Sequence, residues 1–276
     1  IQSEGGSDIY SFAFYETYMA LYGEGIFCGK GIFNVDVFAE TVFDAFPKNM
    51  ILSHDMIEGA YLRTAALTDV PLTDGSPKNP LSHYKRLHRW IRGDVQTAAY
   101  VFGGRSRENA GKKPKISRLS KYKIIDNLRR AAVPIFVVLC FISTLFFGGK
   151  HAEITALLPL LYILYRPVYS IVSMPWALFR RFFGFTLTPV ERSVLSSTLD
   201  LYSLGYTAQV TVDAVARALA RLFVTRKKLL EWTTADSADK KKATRNKYLS
   251  KIWPSAVLGI ILCVFSHSAI VCTMER

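Results

Sequence analysis

The reading turns on I-L-S-H-D-M-I-E-G at residues 51–59, followed some thirty residues later by K-R-L-H-R-W-I-R-G-D-V-Q at residues 85–96. The first stretch carries Asp55 and Glu58, three apart and therefore on one face of a helix. A sugar transferase needs one positioned carboxylate, which takes the proton of an acceptor hydroxyl as that oxygen attacks the anomeric carbon. Such acid pairs are also common on ordinary helix surfaces, and His54 beside them adds little by itself. The second stretch lines up Arg86, His88, Arg89, Trp90 and Arg92. Cations from one helix can neutralise a diphosphate leaving group, and the Trp90 ring can lie against the C–H face of a sugar. A solvated basic helix with one anchoring tryptophan would carry the same letters.

Upstream, residues 22–33 read Y-G-E-G-I-F-C-G-K-G-I-F, with glycines that allow close backbone approach to a ligand. A phosphate cradle and a flexible acceptor loop are both open, but the run is neither a Walker loop nor a dinucleotide fingerprint. Residues 35–46 have helical apolar spacing (Val35, Phe38, Val42, Phe43, Phe46) and end at Pro47. Ser53 is placed to cap a helix that starts near His54. Residues 81–102 read as a helix closed by Gly103 and Gly104. No Ser/His/Asp signature or nucleophile elbow occurs.

The chain has 276 residues, half of them hydrophobic and 21% charged, which is apolar for a soluble protein. Its net charge of +13 is unevenly spread. Residues 1–104 hold 8 Lys/Arg and 12 Asp/Glu (net −4), whereas 105–130 hold 10 and 2 (net +8) and 177–251 hold 14 and 6 (net +8). The basic excess thus flanks apolar runs instead of forming a nucleic-acid face on the N-terminal unit, so no nucleic-acid partner is expected. It fits flanks that set membrane topology and contact anionic lipid. The four cysteines (Cys28, Cys140, Cys263, Cys272) have no zinc or disulfide spacing.

Three membrane spans are expected, near 131–149, 154–176 and 252–274, the middle one broken by Pro159, Pro167 and Pro175. The positive-inside rule then puts residues 1–104, the basic connector 105–130 and the loop 177–251 in the cytoplasm. Residues 210–230 suit an amphipathic helix in the membrane interface, or one packed on the N-terminal unit. With no initiator Met or signal peptide, the chain reads as a fragment cut at both ends.

Taken together, the glycine loop, S-H-D-x-x-E-G, R-x-H-R-W-x-R-G-D-x-Q, the apolar runs and L-L-E-W-T-T-A-D at residues 229–236 resemble the glycosyltransferase region of cyclic β-1,2-glucan synthases. These are large bacterial inner-membrane enzymes. The resemblance implies that residues 1–104 are the C-terminal part of an α/β, A-type glycosyltransferase domain. Membrane helices and a multi-pass inner-membrane location, with the catalytic part cytoplasmic, would follow. It implies UDP-glucose as donor, a glucan acceptor, contact with membrane lipid, and inversion at the anomeric carbon. Asp55 would be the base, with His54, Glu58, Arg86, His88, Arg89, Trp90 and Arg92 at the substrate. Related processive synthases carry a Q-x-x-R-W motif; here Arg86 stands in place of its Gln, while Arg89 and Trp90 carry over. Mg2+ or Mn2+ is implied, with ligands upstream of this sequence and none within it. A cellulose-synthase-like transferase with another product, and a transport subunit using Arg166, are the other readings.

Overall fold

The computed structural model describes residues 18–27, 29, 31–42, 45, 49–65, 79–102, 116–146, 157, 159, 161–172, 188–232, 246, 248–257 and 259–260. Its principal helices are α1 (Val35–Thr41), α2 (Asp55–Leu62), α3 (Pro80–Thr97), α4 (Arg118–Phe146) and α5 (Thr188–Leu219). The chain divides into one unit of residues 1–131 and 211–243, and a second of 132–210 and 244–276.

Local chemistry sets the helix starts in the first unit. The Asn34 side chain accepts from the amides of Asp36 and Val37 and opens α1. Asn79 accepts from the Ser82 amide, with Pro80 in the first turn where its missing N–H costs nothing, and opens α3. Helix α2 starts one residue later than expected. Ser53 gives it no cap, because its hydroxyl is turned to Asp55 Oδ2 at 3.5 Å. A 3-10 turn, Ala98–Tyr100, follows α3 directly.

Tyr18, Ile26, Met56, Ile57, Tyr100, Ile116 and Ile124 form the core of this unit. It joins the glycine loop, α2, the end of α3 and the start of α4. Each fully buried large apolar side chain contributes about 1.5–3 kcal/mol. The glycine loop lies on α2: Gly25 N–H donates to the Thr64 carbonyl at 2.6 Å. A Cβ on Gly59 would stand 2.9 Å from Phe27 Cβ, so that approach needs glycine. A polar link underlies the loop, where Lys123 Nζ donates to Glu24 Oε1 at 2.9 Å and to the Gly25 carbonyl at 2.7 Å.

Helices α3 and α4 meet at Asp94, to which Asn127 Nδ2 donates at 3.5 Å. Burial pushes the Asp94 carboxyl up to about 7, against the opposing effects of Asn127 and Arg130. Its folded value therefore exceeds the unfolded one of about 3.9. The cost of burying the charge is absent below about pH 4, grows between there and about 7, and is complete above. Asp94→Asn should remove this slope: hydrogen-exchange protection of α3 should fall less between pH 5.5 and 8 than in the wild type.

In the second unit, a helix over 161–172 lies against α5 through Arg166, whose NH1 reaches Asp200 Oδ2 at 2.6 Å and Ser196 Oγ at 3.0 Å. That pairing accounts for the charge that had suggested a transport pathway. Gly205 lets α5 cross the segment at Ser255, where a Cβ would meet Ser255 Cα at 2.9 Å. The Tyr206 amide donates to Ser255 Oγ at 3.0 Å.

Two expectations are corrected. The α/β class does not hold: among the described residues every regular element is helical and none is a strand. Between helices, the described residues make single hydrogen bonds of the Gly25–Thr64 kind and no ladders. The membrane helices and multi-pass inner-membrane location do not hold either: no helix among the described residues is long and apolar enough to cross a membrane. The first half of α4 carries Lys121, Lys123, Asp126, Arg129 and Arg130. Its apolar part begins at Ala131 and, over the described residues, ends at Phe146, short of the roughly 20 residues a span needs. Most of 252–274 and part of 154–176 lie outside the described residues. The helix over 210–230 takes the second of its two expected settings, packed on the N-terminal unit. Its part of α5 packs within the first unit, with Ala214 and Ala218 fully buried, and gives way to a π turn at Ala220–Thr225.

Candidate functional site

Asp55 occupies the first turn of α2, where the helix's free amides favour an acid. Three neighbours fix its setting. Gly29, at φ +79°, brings the glycine loop so close that a Cβ there would lie 3.1 Å from Asp55 Oδ1. The run of glycines therefore serves an approach to a carboxylate. Ser53 sits under it, and Arg89 acts on it through charge. Burial raises the Asp55 carboxyl above its ordinary value; His54 and Arg89 oppose this, and Glu58 adds to it. The result is a carboxylate of increased proton affinity.

Gly93 sets the distance between α2 and α3. A Cβ there would lie 2.8 Å from Ser53 Cβ and 3.4 Å from its backbone nitrogen. Gly93→Ala should therefore push residues 51–55 off α3 and cost about 1–3 kcal/mol, the usual range for overpacking. The better helix propensity of alanine, about 1 kcal/mol, offsets only part of it. Hydrogen exchange at 51–62 should speed up, with activity falling alongside.

His54 Nδ1 faces Glu58 Oε1 at 2.7 Å, and that hydrogen bond raises the imidazole pKa despite burial. Ligand atoms of His54, Asp55 and Glu58 lie within 4.8 Å of one another. Two carboxylates and an imidazole suit a transition dication better than Mg2+, which prefers oxygen ligands and bound water. The His54–Glu58 hydrogen bond accounts for the cluster without a cation, and its donor set does not fit Mg2+.

Helix α3 supplies the cations, and its faces have separate tasks. Arg89 precedes Gly93 by one helical turn, on the side toward Ser53 and Asp55. Its guanidinium carbon is 4.8 Å from the centre of the Trp232 ring. Arg86 covers the Trp90 ring at 4.5 Å. His88 Nε2 meets Asp213 Oδ2 at 3.0 Å. Burial lowers the His88 pKa, with Asp213 opposing it. Although burial acts to raise it, hydrogen bonds from Arg217 and His88 leave the Asp213 carboxyl below its usual range. Arg92 is 94% buried, with 6% left exposed, and its NH2 donates to the Glu231 carbonyl at 2.5 Å.

The expected residues thus fall into groups. Asp55 and Glu58 share the first turn of α2, with His54 just before it and Arg89 in electrostatic reach of Asp55. Arg86 and Trp90 pair with each other, and His88 and Arg92 tie α3 to residues 213 and 231. Sequence reasoning missed Gln96, Asp213 and Trp232. Gln96 accepts from the Leu52 amide at 2.7 Å and donates to the Leu229 carbonyl at 3.2 Å, joining the entry of α2 to the segment before Trp232. The available signals were the last letter of the basic motif and the W of L-L-E-W-T-T-A-D.

No family model matches the chain. It is 30% identical over 263 residues, 93% of its length, to the cyclic beta-(1,2)-glucan synthase NdvB of Rhizobium meliloti (strain 1021), and spans 9% of that protein's length. The resemblance read from the motifs is borne out: across nearly its whole length, this chain is similar to a segment of a cyclic β-(1,2)-glucan synthase.

Proposed function

We propose that the chain is part of a glycosyltransferase that builds β-glucan, moving glucose from UDP-glucose to a growing β-1,2-linked chain with inversion. Asp55 takes the proton of the acceptor hydroxyl, the hydroxyl oxygen bonds to the anomeric carbon, and the bond from that carbon to the diphosphate breaks. UDP leaves with the electron pair. Arg89, which acts on Asp55 through charge, would stabilise the departing negative charge, with Arg86 from the same helix adding to it. The observation that carries the reading is the setting of Asp55: a carboxylate of raised pKa, pressed by the Gly29 backbone on one side and acted on by Arg89.

The test is incorporation of labelled glucose from UDP-glucose, with Mg2+ or Mn2+ present, by the full-length protein. A β-1,2-linked product identified by NMR is the expected result. Failure to incorporate from any nucleotide sugar would overturn the reading, and another linkage would replace the product.

A further inference from the structure

The 226–232 segment is held far more firmly than a surface connection needs. Arg226 (φ 50°) and Lys228 (φ 56°) both adopt the left-handed conformation, which non-glycine residues keep only when their surroundings impose it. They follow the π turn, an irregularity frequent at functional sites. Four polar links then pin the segment down. Arg221 NH1 donates to the Lys228 carbonyl at 2.8 Å, and its NH2 to Glu231 Oε2 at 2.6 Å. From α3, Arg92 reaches the Glu231 carbonyl and Gln96 the Leu229 carbonyl. Leu229 is buried beneath.

What this anchoring presents is Trp232, a large aromatic ring that remains 51% exposed. Exposure alone does not single it out, since other large apolar side chains are as exposed; its setting does. Its partner is Arg89, the same guanidinium that acts on Asp55. Arg89 covers one face of the indole; a pyranose ring matches the other, its C–H face lying on the indole and a hydroxyl reaching past the ring edge to accept from the guanidinium.

We propose that Trp232 and Arg89 form a sugar-ring subsite for the glucan acceptor, so that the 226–232 segment is a wall of the transfer site. This rests on the transferase reading above. Trp232 is the specificity-determining residue, since the ring selects a pyranose face, and Arg89 orients the sugar toward Asp55.

The experiment measures binding of a labelled β-1,2-linked gluco-oligosaccharide to the full-length protein without donor, for wild type, Trp232→Leu and Trp232→Phe. Leucine keeps apolar bulk and phenylalanine keeps an aromatic face. Trp232→Leu should weaken binding by roughly 5- to 100-fold, the range for loss of one stacking partner, with the KM for UDP-glucose unchanged. Trp232→Phe should restore most of the affinity. Hydrogen exchange at 226–232 checks that the segment keeps its fold. Unchanged oligosaccharide binding in Trp232→Leu would overturn the proposal, as would no binding by wild type. A parallel loss of donor affinity that phenylalanine does not rescue would also overturn it, because Trp232 would then be structural. Binding that depends on Trp232 in a protein without transfer activity would sink the transferase reading and leave the subsite standing.

Discussion

Asp55→Asn is expected to reduce glucosyl transfer about 10^2- to 10^4-fold, the range for loss of a general base, while the KM for UDP-glucose stays within a few-fold. The amide is isosteric, so Gly29 still fits against it and Ser53 keeps a partner, but the proton acceptor is gone. The pH profile gives a second handle. Burial raises the Asp55 carboxyl above the usual carboxylate range, so the acidic limb of kcat/KM should lie above that range and disappear from the residual activity of the variant. Steady-state rates on the full-length protein across pH would check both. Activity that persists in Asp55→Asn would place the base elsewhere.

Lys123→Met should produce the largest loss of stability. Lys123 and Glu24 are each only 5% exposed, and Arg63, the second partner of Glu24, is 75% exposed. Removing the ammonium leaves a buried carboxylate with one solvent-facing partner and the Gly25 carbonyl without its donor. Breaking one side of such a buried pair costs about 3–5 kcal/mol. The double replacement Glu24→Leu with Lys123→Met should recover much of that, because no charge stays buried. Hydrogen exchange at residues 18–27 and 118–127 reports both effects. An equal loss in single and double variants would mean that Lys123 acts through packing, including its approach to the Tyr18 ring at 5.6 Å.

The parts of the chain legible in sequence were those governed by local rules. Helix α3 was readable from its length, its spacing and the loop residues around it, and α2 from the start of its acid-bearing turn. Asp55 and Arg89 could be singled out by chemistry and by resemblance. Their relation could not, because it depends on Gly93, whose missing Cβ matters only once Ser53 is known to lie against it. Trp232 was hidden for a similar reason: nothing local connects residue 232 to residue 89. The membrane reading failed where a local rule was applied too far. An apolar run was counted by length, although in α4 it continues a charged helix start whose Lys123, Ile124 and Asn127 are buried in the first unit.

Gln96 bonds to residues 52 and 229 at once, and this bears on the order in which the protein can form. When the ribosome has made residue 131, Asp55 and Arg89 are already out, but the partners of His88, Arg92 and Gln96 at 213, 231 and 229 are not. The intervening stretch, 132–210, belongs to the other unit. At roughly 5–20 residues per second its synthesis takes about 4–16 s. Throughout that interval α3 waits with Arg92 and Gln96 lacking these partners, and closing so long a loop carries its own entropic cost. A nascent chain halted in this window should hold Asp55 and Arg89 without the 226–232 segment beside them, so their surroundings are completed only after residue 232 has been made.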